Sequence, residues 1–357
     1  MEELNRIKEI LKKNNAILLR EGDDLDYFCD DLQKSKEILL KEGWIISNNN
    51  INYFEAIRCI GEKIYIIEVA NTLLHSSRFT VDLKRKYISK YISTPNENDV
   101  WLKSIRYLLS LRNDYKAKKF FYSNMNFLNK NDFFLDYLSI NPFKKNLDIE
   151  LLLENKKLFI LKYVKPQYLL KIIIDKVLFH FSSLLRNRTY SIMGVDGVGK
   201  TTIIEVLKQY NIKSIYMGFK GFYFENLYQK IIGKNKFLTI LVHIMVFGEN
   251  WVRFFKSKFL NFRGYIVIWD RNPVIEYQYN TKIFYPLYKI CFVKVKTFIL
   301  FAKESEIFKR KQERKIKEIK EEQKFLTSLQ DAILIENSKI DITVNKILKV
   351  IYENNVL

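Results

Sequence analysis

The chain has 357 residues and carries 60 lysines and arginines against 40 acidic residues, a formal charge of +20 at pH 7. Its 48% hydrophobic and 15% aromatic content excludes global disorder, and its length exceeds what one core ordinarily holds, so two domains are expected. Three cysteines (Cys29, Cys59, Cys291) lie far apart with no C-x-x-C, which excludes a disulfide framework and a thiolate zinc site.

His75, His180 and His243 share no metal-ligand spacing. The basic residues are spread along the chain without RGG, RRM or zinc-finger signatures, so the charge reads as compositional bias rather than a specific nucleic-acid surface. The N-terminal MEELNRIKEILKKNN is a charged amphipathic helix and not a signal peptide. The longest apolar runs, such as Phe237 to Phe247, fall short of a membrane span and include His243. No transmembrane segment and a cytoplasmic location are therefore expected.

In chain order, residues 1–15 read as a helix and Ala16 to Arg20 as a buried strand. Asp24 opens a second strand that alternates Leu25, Tyr27 and Cys29 on one face with Asp24 and Asp26 on the other. Two carboxylates pointing the same way repel each other unless a divalent cation lies between them. A helix from Leu32 to Glu42 ends at Gly43, followed by strand Trp44 to Ser47. A hairpin is expected from Ala56–Cys59 and Lys63–Val69 around Gly61-Glu62, and then strand Phe79 to Leu83, which carries Asp82. Over about the first 85 residues this resembles the nucleotidyltransferase superfamily. The resemblance implies a two-metal site with Asp24 and Asp26 as the metal-binding pair and Asp82 as the third carboxylate. It departs from the family before Asp24, where Arg20-Glu21-Gly22 stands in place of a Gly-Ser turn and short helix.

Residues 99–140 read as helical, with an aromatic stripe that belongs to a core rather than to a base-stacking platform. Asn141-Pro142 punctuates, and Leu147–Leu161 and Pro166–Leu185 are further helices. These divisions give a nucleotidyltransferase-like domain at 1–140, a helical connector at 141–187 and a second domain at 188–357.

The second domain opens on strand Thr189 to Met193, then Gly194-Val-Asp-Gly-Val-Gly-Lys200-Thr201-Thr202, then an amphipathic helix from Ile203. This is the full G-x-x-x-x-G-K-[ST] phosphate loop in its strand–loop–helix setting. Gly194, Gly197 and Gly199 let successive N–H groups turn inward, and Asp196 and Val198 complete the loop. Lys200 is expected on the β- and γ-phosphates and the Thr201 hydroxyl on Mg²⁺, so ATP and Mg²⁺ are the expected ligands. A strand at Ser214 to Met217 and a long helical region through Phe262 follow. Strand Tyr265 to Trp269 then runs into Asp270-Arg271, where ligands bind in open α/β sheets. Asp270 is placed to reach Mg²⁺ and Arg271 to fork onto a phosphate. After strand Lys296 to Leu300, a charged stretch with Lys309, Arg310 and Arg314 stands where a mobile lid would neutralise a migrating phosphoryl group. Strand Ala332–Ile335 and helix Asp341–Tyr352 end the chain.

Over about residues 188–357 these pieces resemble the thymidylate kinase family. The resemblance implies an Asp196 contact to the acceptor sugar or its phosphate, Arg271 on the acceptor phosphate, and Arg310 or Arg314 on the transferred phosphoryl. Three departures fall in the acceptor half. Tyr216-Met-Gly-Phe-Lys-Gly221 replaces the family's T-R-E-P-G, leaving Lys220 as the nearby cation. Asn272 stands where an aromatic is usual, and Tyr277-Gln278 sits two residues too close to Asp270-Arg271.

The expected architecture is α/β: a P-loop NTPase parallel sheet with flanking helices, preceded by a smaller α/β nucleotidyltransferase-like domain and a helical connector. The expected function is ATP/Mg²⁺-dependent phosphoryl transfer to a nucleoside monophosphate or similar small acceptor. Two alternatives stand beside it: a nucleotidyltransferase acting through Asp24, Asp26 and Asp82 with a regulatory P-loop domain, and an NTP-binding switch without kinase turnover. The partners expected are small-molecule nucleotides, with homodimerisation left open.

Overall fold

A computed structural model describes residues 2–21, 24–50, 53–71, 74–76, 79–81, 188–218, 236–280, 285–292, 295–312 and 315–353, with a few isolated positions between 119 and 174. The expected helices of 99–187, with Asp82, Arg314 and Lys220, lie outside the described residues. The chain divides into two compact units, one of residues 1–57 and 66–178, the other of 58–65 and 179–357.

In the first unit, helix α1 (Glu2–Lys13) buries Leu4, Ile7 and Leu11, the 3–4 spacing of one helical face. Helix α2 (Leu32–Lys41) is capped by Asp31, whose carboxylate accepts the Lys34 N–H at 2.9 Å. Strands β1 (Ile17–Glu21), β2 (Asp24–Phe28), β3 (Ile45–Asn50), β4 (Tyr53–Ile60) and β5 (Lys63–Ala70) form a sheet in the order β1-β2-β5-β4-β3. β2 runs parallel to β5 and antiparallel to β1. A two-stranded antiparallel ribbon follows, β6 (Leu74–Ser76) with β7 (Phe79–Val81). β6 was not foreseen, and β7 is described as far as Val81.

The second unit is built on a parallel sheet of β8 (Thr189–Met193), β9 (Ile212–Tyr216), β10 (Ile266–Asp270), β11 (Lys296–Phe301) and β12 (Ala332–Glu336), in the order β12-β11-β8-β10-β9. Chain order reverses at β8, so the crevice for a ligand lies beyond its carboxyl end. β8 is buried along its whole length, as a central parallel strand must be. The helices of this unit are α3 (Lys200–Leu207), α4 (Lys236–Phe262), α5 (Pro273–Asn280), α6 (Tyr285–Cys291), α7 (Glu304–Arg310), α8 (Ile316–Thr327) and α9 (Ile340–Glu353). The expected charged lid is two helices, because α7 ends at Lys311 in extended backbone.

One core of the second unit gathers Ile215, Met217, Phe254, Val267, Trp269, Tyr288 and Phe292. Helix α4 bonds to it and to the neighbouring strand: Trp269 Nε1 donates to Ser257 Oγ at 3.1 Å, and Asn261 Nδ2 donates to Thr189 Oγ1 at 2.7 Å. Residues 58–65 count with this unit, where the side-chain amides of Gln209 and Asn345 each make two bonds to their backbone.

Candidate functional site: a phosphate-loop cavity

The loop between β8 and α3 takes its shape from backbone angles that only glycine adopts easily. Gly199, the N-cap of α3, has φ 101°, and a Cβ there would lie 2.6 Å from Asn337 Nδ2. Gly194 has φ 154°, and a Cβ there would lie 2.6 Å from the Leu300 carbonyl oxygen. At these two glycines the loop is thus pressed between β11 and the end of β12 with no room for a side chain. Asn337 fastens it: its Nδ2 donates to the Val198 carbonyl at 2.5 Å, and its backbone N–H donates to Phe301 O at 2.8 Å.

Above the loop is a cavity of about 660 Å³ at the carboxyl end of the sheet. It brings together Asp196, Gly197, Gly199, Lys200, Thr201, Thr202, Asp270, Arg271 and Arg310, nearly all of the site residues expected in this half of the chain. Two of the expected loop residues, Gly194 and Val198, form the floor instead: the Val198 side chain is fully buried and its N–H donates to Val195 O at 3.2 Å. Tyr216, Lys311, Asn337 and Ser338 also line the cavity and were not singled out from sequence as site residues. Lys311 follows directly on Arg310, so the same helix end brings it to the loop.

Lys200 is 8% exposed, and its ammonium donates to the carbonyls of Gly194 (2.6 Å) and Val195 (3.0 Å) and to Asp196 Oδ1 (3.4 Å). Burial and then the Arg271 charge hold this amine below the ordinary lysine value, against the pull of Asp196 and Asp270. Burial pushes the Asp270 carboxyl upward, with Lys200 and Arg271 opposing. Arg271 is the centre of the polar network. Its Nη2 donates to Asp196 Oδ1 at 2.5 Å and its Nη1 to Glu276 Oε1 at 2.7 Å. Burial works against its charge, but Glu276 and then Asp196 outweigh it and raise the pKa further.

Arg271 has φ 76°, in the left-handed region that a non-glycine residue adopts at a cost of order 1–3 kcal/mol. The turn sends its N–H to Ile192 O (3.0 Å), and it is compensated by the pairing of its guanidinium. Asn272, read from sequence as a departure, is the residue that starts α5. Its Oδ1 accepts the Val274 N–H at 3.1 Å with Pro273 at the first helical position, and its Nδ2 donates to Thr297 Oγ1 at 3.1 Å. With Lys220 outside the described residues, the cation found beside Tyr216 is Arg253 of α4. Its Nη1 donates to Tyr216 O at 2.9 Å, and its Nη2 pairs with Glu249 at 2.6 Å.

The first unit holds a second cluster. Asp24 and Asp26 face the same way on β2, and their carboxylate oxygens lie within 4.8 Å of one another and of Glu68. Glu68 stands opposite Asp26 in the β2–β5 register. Among the described residues the carboxylate beside the pair is Glu68, which sequence reading did not single out; Asp82, the expected third carboxylate, lies outside the described residues. The signal of Glu68 was nonlocal, because only the pairing of β5 with β2 brings it there. No helix among the described residues is long and apolar enough to cross a membrane. Comparison of the chain with protein-family models and with curated proteins returns no match.

Proposed function

We propose that the second unit is a P-loop phosphotransferase, thymidylate kinase-like in its architecture, that moves a phosphoryl group from ATP to a small phosphorylated acceptor. The observation that carries this reading is the convergence of a complete phosphate loop, Lys200, Thr201, Asp270, Arg271 and Arg310 in one 660 Å³ cavity at the carboxyl edge of a parallel sheet. The residues fit the ligands they imply. The loop offers N–H groups in a cradle that a Cβ would fill, and Thr201 and Asp270 supply the oxygen donors that Mg²⁺ prefers. Mg²⁺, when bound, neutralises charge on the transferring phosphate oxygens.

The chain's own residues account for the rest. Lys200 would leave the loop carbonyls for phosphate oxygens, exchanging neutral acceptors for charged ones. Arg271, held on one side by buried Glu276, would turn its Asp196-facing edge to the acceptor phosphate. Arg310, 45% exposed at the end of α7, would close on the migrating group and exclude water. Catalysis on this reading is positioning and charge neutralisation without a covalent enzyme intermediate.

An ADP-release assay with ATP and Mg²⁺ against nucleoside monophosphates and sugar phosphates tests it. ADP formation that depends on an acceptor and is lost in Lys200→Ala and Arg271→Ala is the expected result. Nucleotide binding with slow hydrolysis indifferent to every acceptor would leave an NTP-dependent switch as the better reading.

The Asp24/Asp26/Glu68 cluster favours a second reading for the first unit alone, a two-metal nucleotidyltransferase site. Mn²⁺ binding lost in Asp26→Asn but kept in Lys200→Ala would support it; Mn²⁺ binding unchanged in Asp26→Asn would remove it.

A further inference from the structure

Strand β9 ends at the cavity on Tyr216, whose ring is part of the lining and has no role in the reading above. Tyr216 stands opposite Asp270 in the β9–β10 register, so the two side chains leave the sheet on one face, beside the turn to Arg271. The backbone here is fastened from two sides. Arg253 Nη1 donates to Tyr216 O at 2.9 Å, and the Met217 N–H donates to Asp270 O at 2.9 Å. The Arg253 guanidinium also lies 6.0 Å from the Tyr216 ring centroid, within cation–π reach.

Gly218 sets the position of the hydroxyl. A Cβ there would stand 2.5 Å from the Tyr216 hydroxyl oxygen and 2.5 Å from Arg271 Cδ. Phenol and arginine stem thus close around one point, and the absence of a side chain at 218 is what lets them meet. The result is a hydrogen-bonding group on a rigid strand end, next to the guanidinium whose Asp196-facing edge is open to an incoming anion.

We infer that Tyr216 is a specificity-determining residue of this site. Its hydroxyl donates to the acceptor's phosphate beside Arg271, and so selects a phosphate monoester over a carboxylate. The inference rests on the phosphotransferase reading and names the group its acceptor must carry. Arg271 alone cannot surround a phosphate, because its Nη1 stays on buried Glu276 and leaves one edge to share. That edge suffices for the two oxygens of a carboxylate. A phosphate monoester has three terminal oxygens, and the one left over needs another donor. A second cation in this place would repel Arg271, whereas a phenol adds a donor and no charge.

The test is isothermal titration of inorganic phosphate, and separately of acetate, into the intact chain saturated with Mg²⁺ and a non-hydrolysable ATP analogue. The analogue fills the phosphate loop, so a second anion has only the acceptor side to enter. Wild type should bind phosphate more tightly than acetate. Tyr216→Phe should weaken phosphate about tenfold or more, as befits one hydrogen bond to a charged group, and leave acetate and the analogue within about twofold. Gly218→Ala, which forces hydroxyl and arginine stem apart while keeping both groups, should weaken phosphate as well. Retained analogue affinity shows that each variant is folded. Phosphate affinity that is lost in Arg271→Ala but unchanged in Tyr216→Phe overturns the inference and leaves the phosphotransferase reading standing. Equal weakening of phosphate and acetate in Tyr216→Phe also overturns it, since the ring would then only position Arg271. So does a wild type that binds no phosphate, or binds acetate as tightly. A chain that fails to bind the ATP analogue at all overturns the phosphotransferase reading itself, and this inference with it.

Discussion

Replacing Asn337 by aspartate changes almost no volume, so it isolates one polar contact of the phosphate loop. The Asn337 Nδ2 donates to the buried Val198 carbonyl at 2.5 Å, and the residue is 7% exposed. A carboxylate there would point an oxygen at a carbonyl oxygen. That loses a buried hydrogen bond, leaves Val198 O unsatisfied, and buries a charge, for an expected cost of about 2–4 kcal/mol at pH 8. The introduced carboxyl can avoid part of this cost by staying protonated, because its O–H would then donate to Val198 O. Its folded pKa must therefore rise above its unfolded value. A native state that binds more protons than the unfolded state loses stability as pH increases from the unfolded carboxyl pKa of about 3.9, so the deficit should be only partly developed at pH 5 and full at pH 8. In a unit of this size the pH 8 deficit corresponds to a melting-temperature drop of about 5–12 °C. Thermal unfolding at both pH values, with ATP affinity measured alongside, checks the reasoning. ATP binding should weaken about tenfold or more at pH 8, as the loop loses its fastening. An equal, small deficit at both pH values with unchanged ATP affinity would refute the idea that Asn337 fastens the loop.

Gly199→Ala should abolish detectable nucleotide binding while the unit stays folded, because φ 101° and a Cβ 2.6 Å from Asn337 Nδ2 force the loop to move; isothermal titration with ATP reads it. Asn272→Ala removes the α5 cap and the bond to Thr297, and should lower stability by about 1–3 kcal/mol in urea unfolding. Glu276→Gln leaves Arg271 its geometry but not its buried countercharge. On the phosphotransferase reading it should raise the acceptor KM about tenfold or more with the ATP KM nearly unchanged, and Glu276→Asp should restore part of the loss.

The strand, glycine turn and helix around residues 189–207 were legible because their information is local. Glycine positions, the apolar strand before them and the helix after them all lie within twenty residues, and strand Thr189–Met193 appears with the bounds expected. The alternation that turned Asp24 and Asp26 to one side was legible for the same reason. What escaped sequence reading depends on registry between distant segments. Asn337 reaches Val198 across 139 positions, and its signal, an asparagine after a strand, is shared by many loops. Glu68 meets Asp26 only because β5 enters the sheet beside β2. Helices α5 and α6 carry too weak a period to stand out, and α5 is set mainly by Asn272-Pro273 at its start. Arg253 was hidden in an aromatic run whose inward face is visible only once α4 lies on the sheet.

The two acids paired with Arg271 divide their labour by burial, and that division bears on how the site would open. Arg271 is shared between Asp196, whose side chain is 22% exposed, and Glu276, which is 5% exposed and anchored in the first turn of α5. An incoming anion can reach the Asp196 side of the guanidinium far more easily than the Glu276 side. Glu276 therefore remains as the fixed orienting partner, and Asp196 is the partner to be displaced. Asp196 also accepts from Lys200, so one carboxylate holds both cations in the ligand-free state. Releasing it would free Arg271 for the acceptor side and Lys200 for the donor side together. On the proposed reading, the two half-sites are coupled through Asp196: donor and acceptor should each bind more tightly when the other is present, by an equal factor in both directions. Asp196→Asn, which weakens both ion pairs at once, should tighten each ligand singly and shrink that factor toward one. Binding isotherms for ATP and for an active acceptor, each measured with and without the other, read it directly. Coupling undiminished in Asp196→Asn would place the link between the half-sites elsewhere.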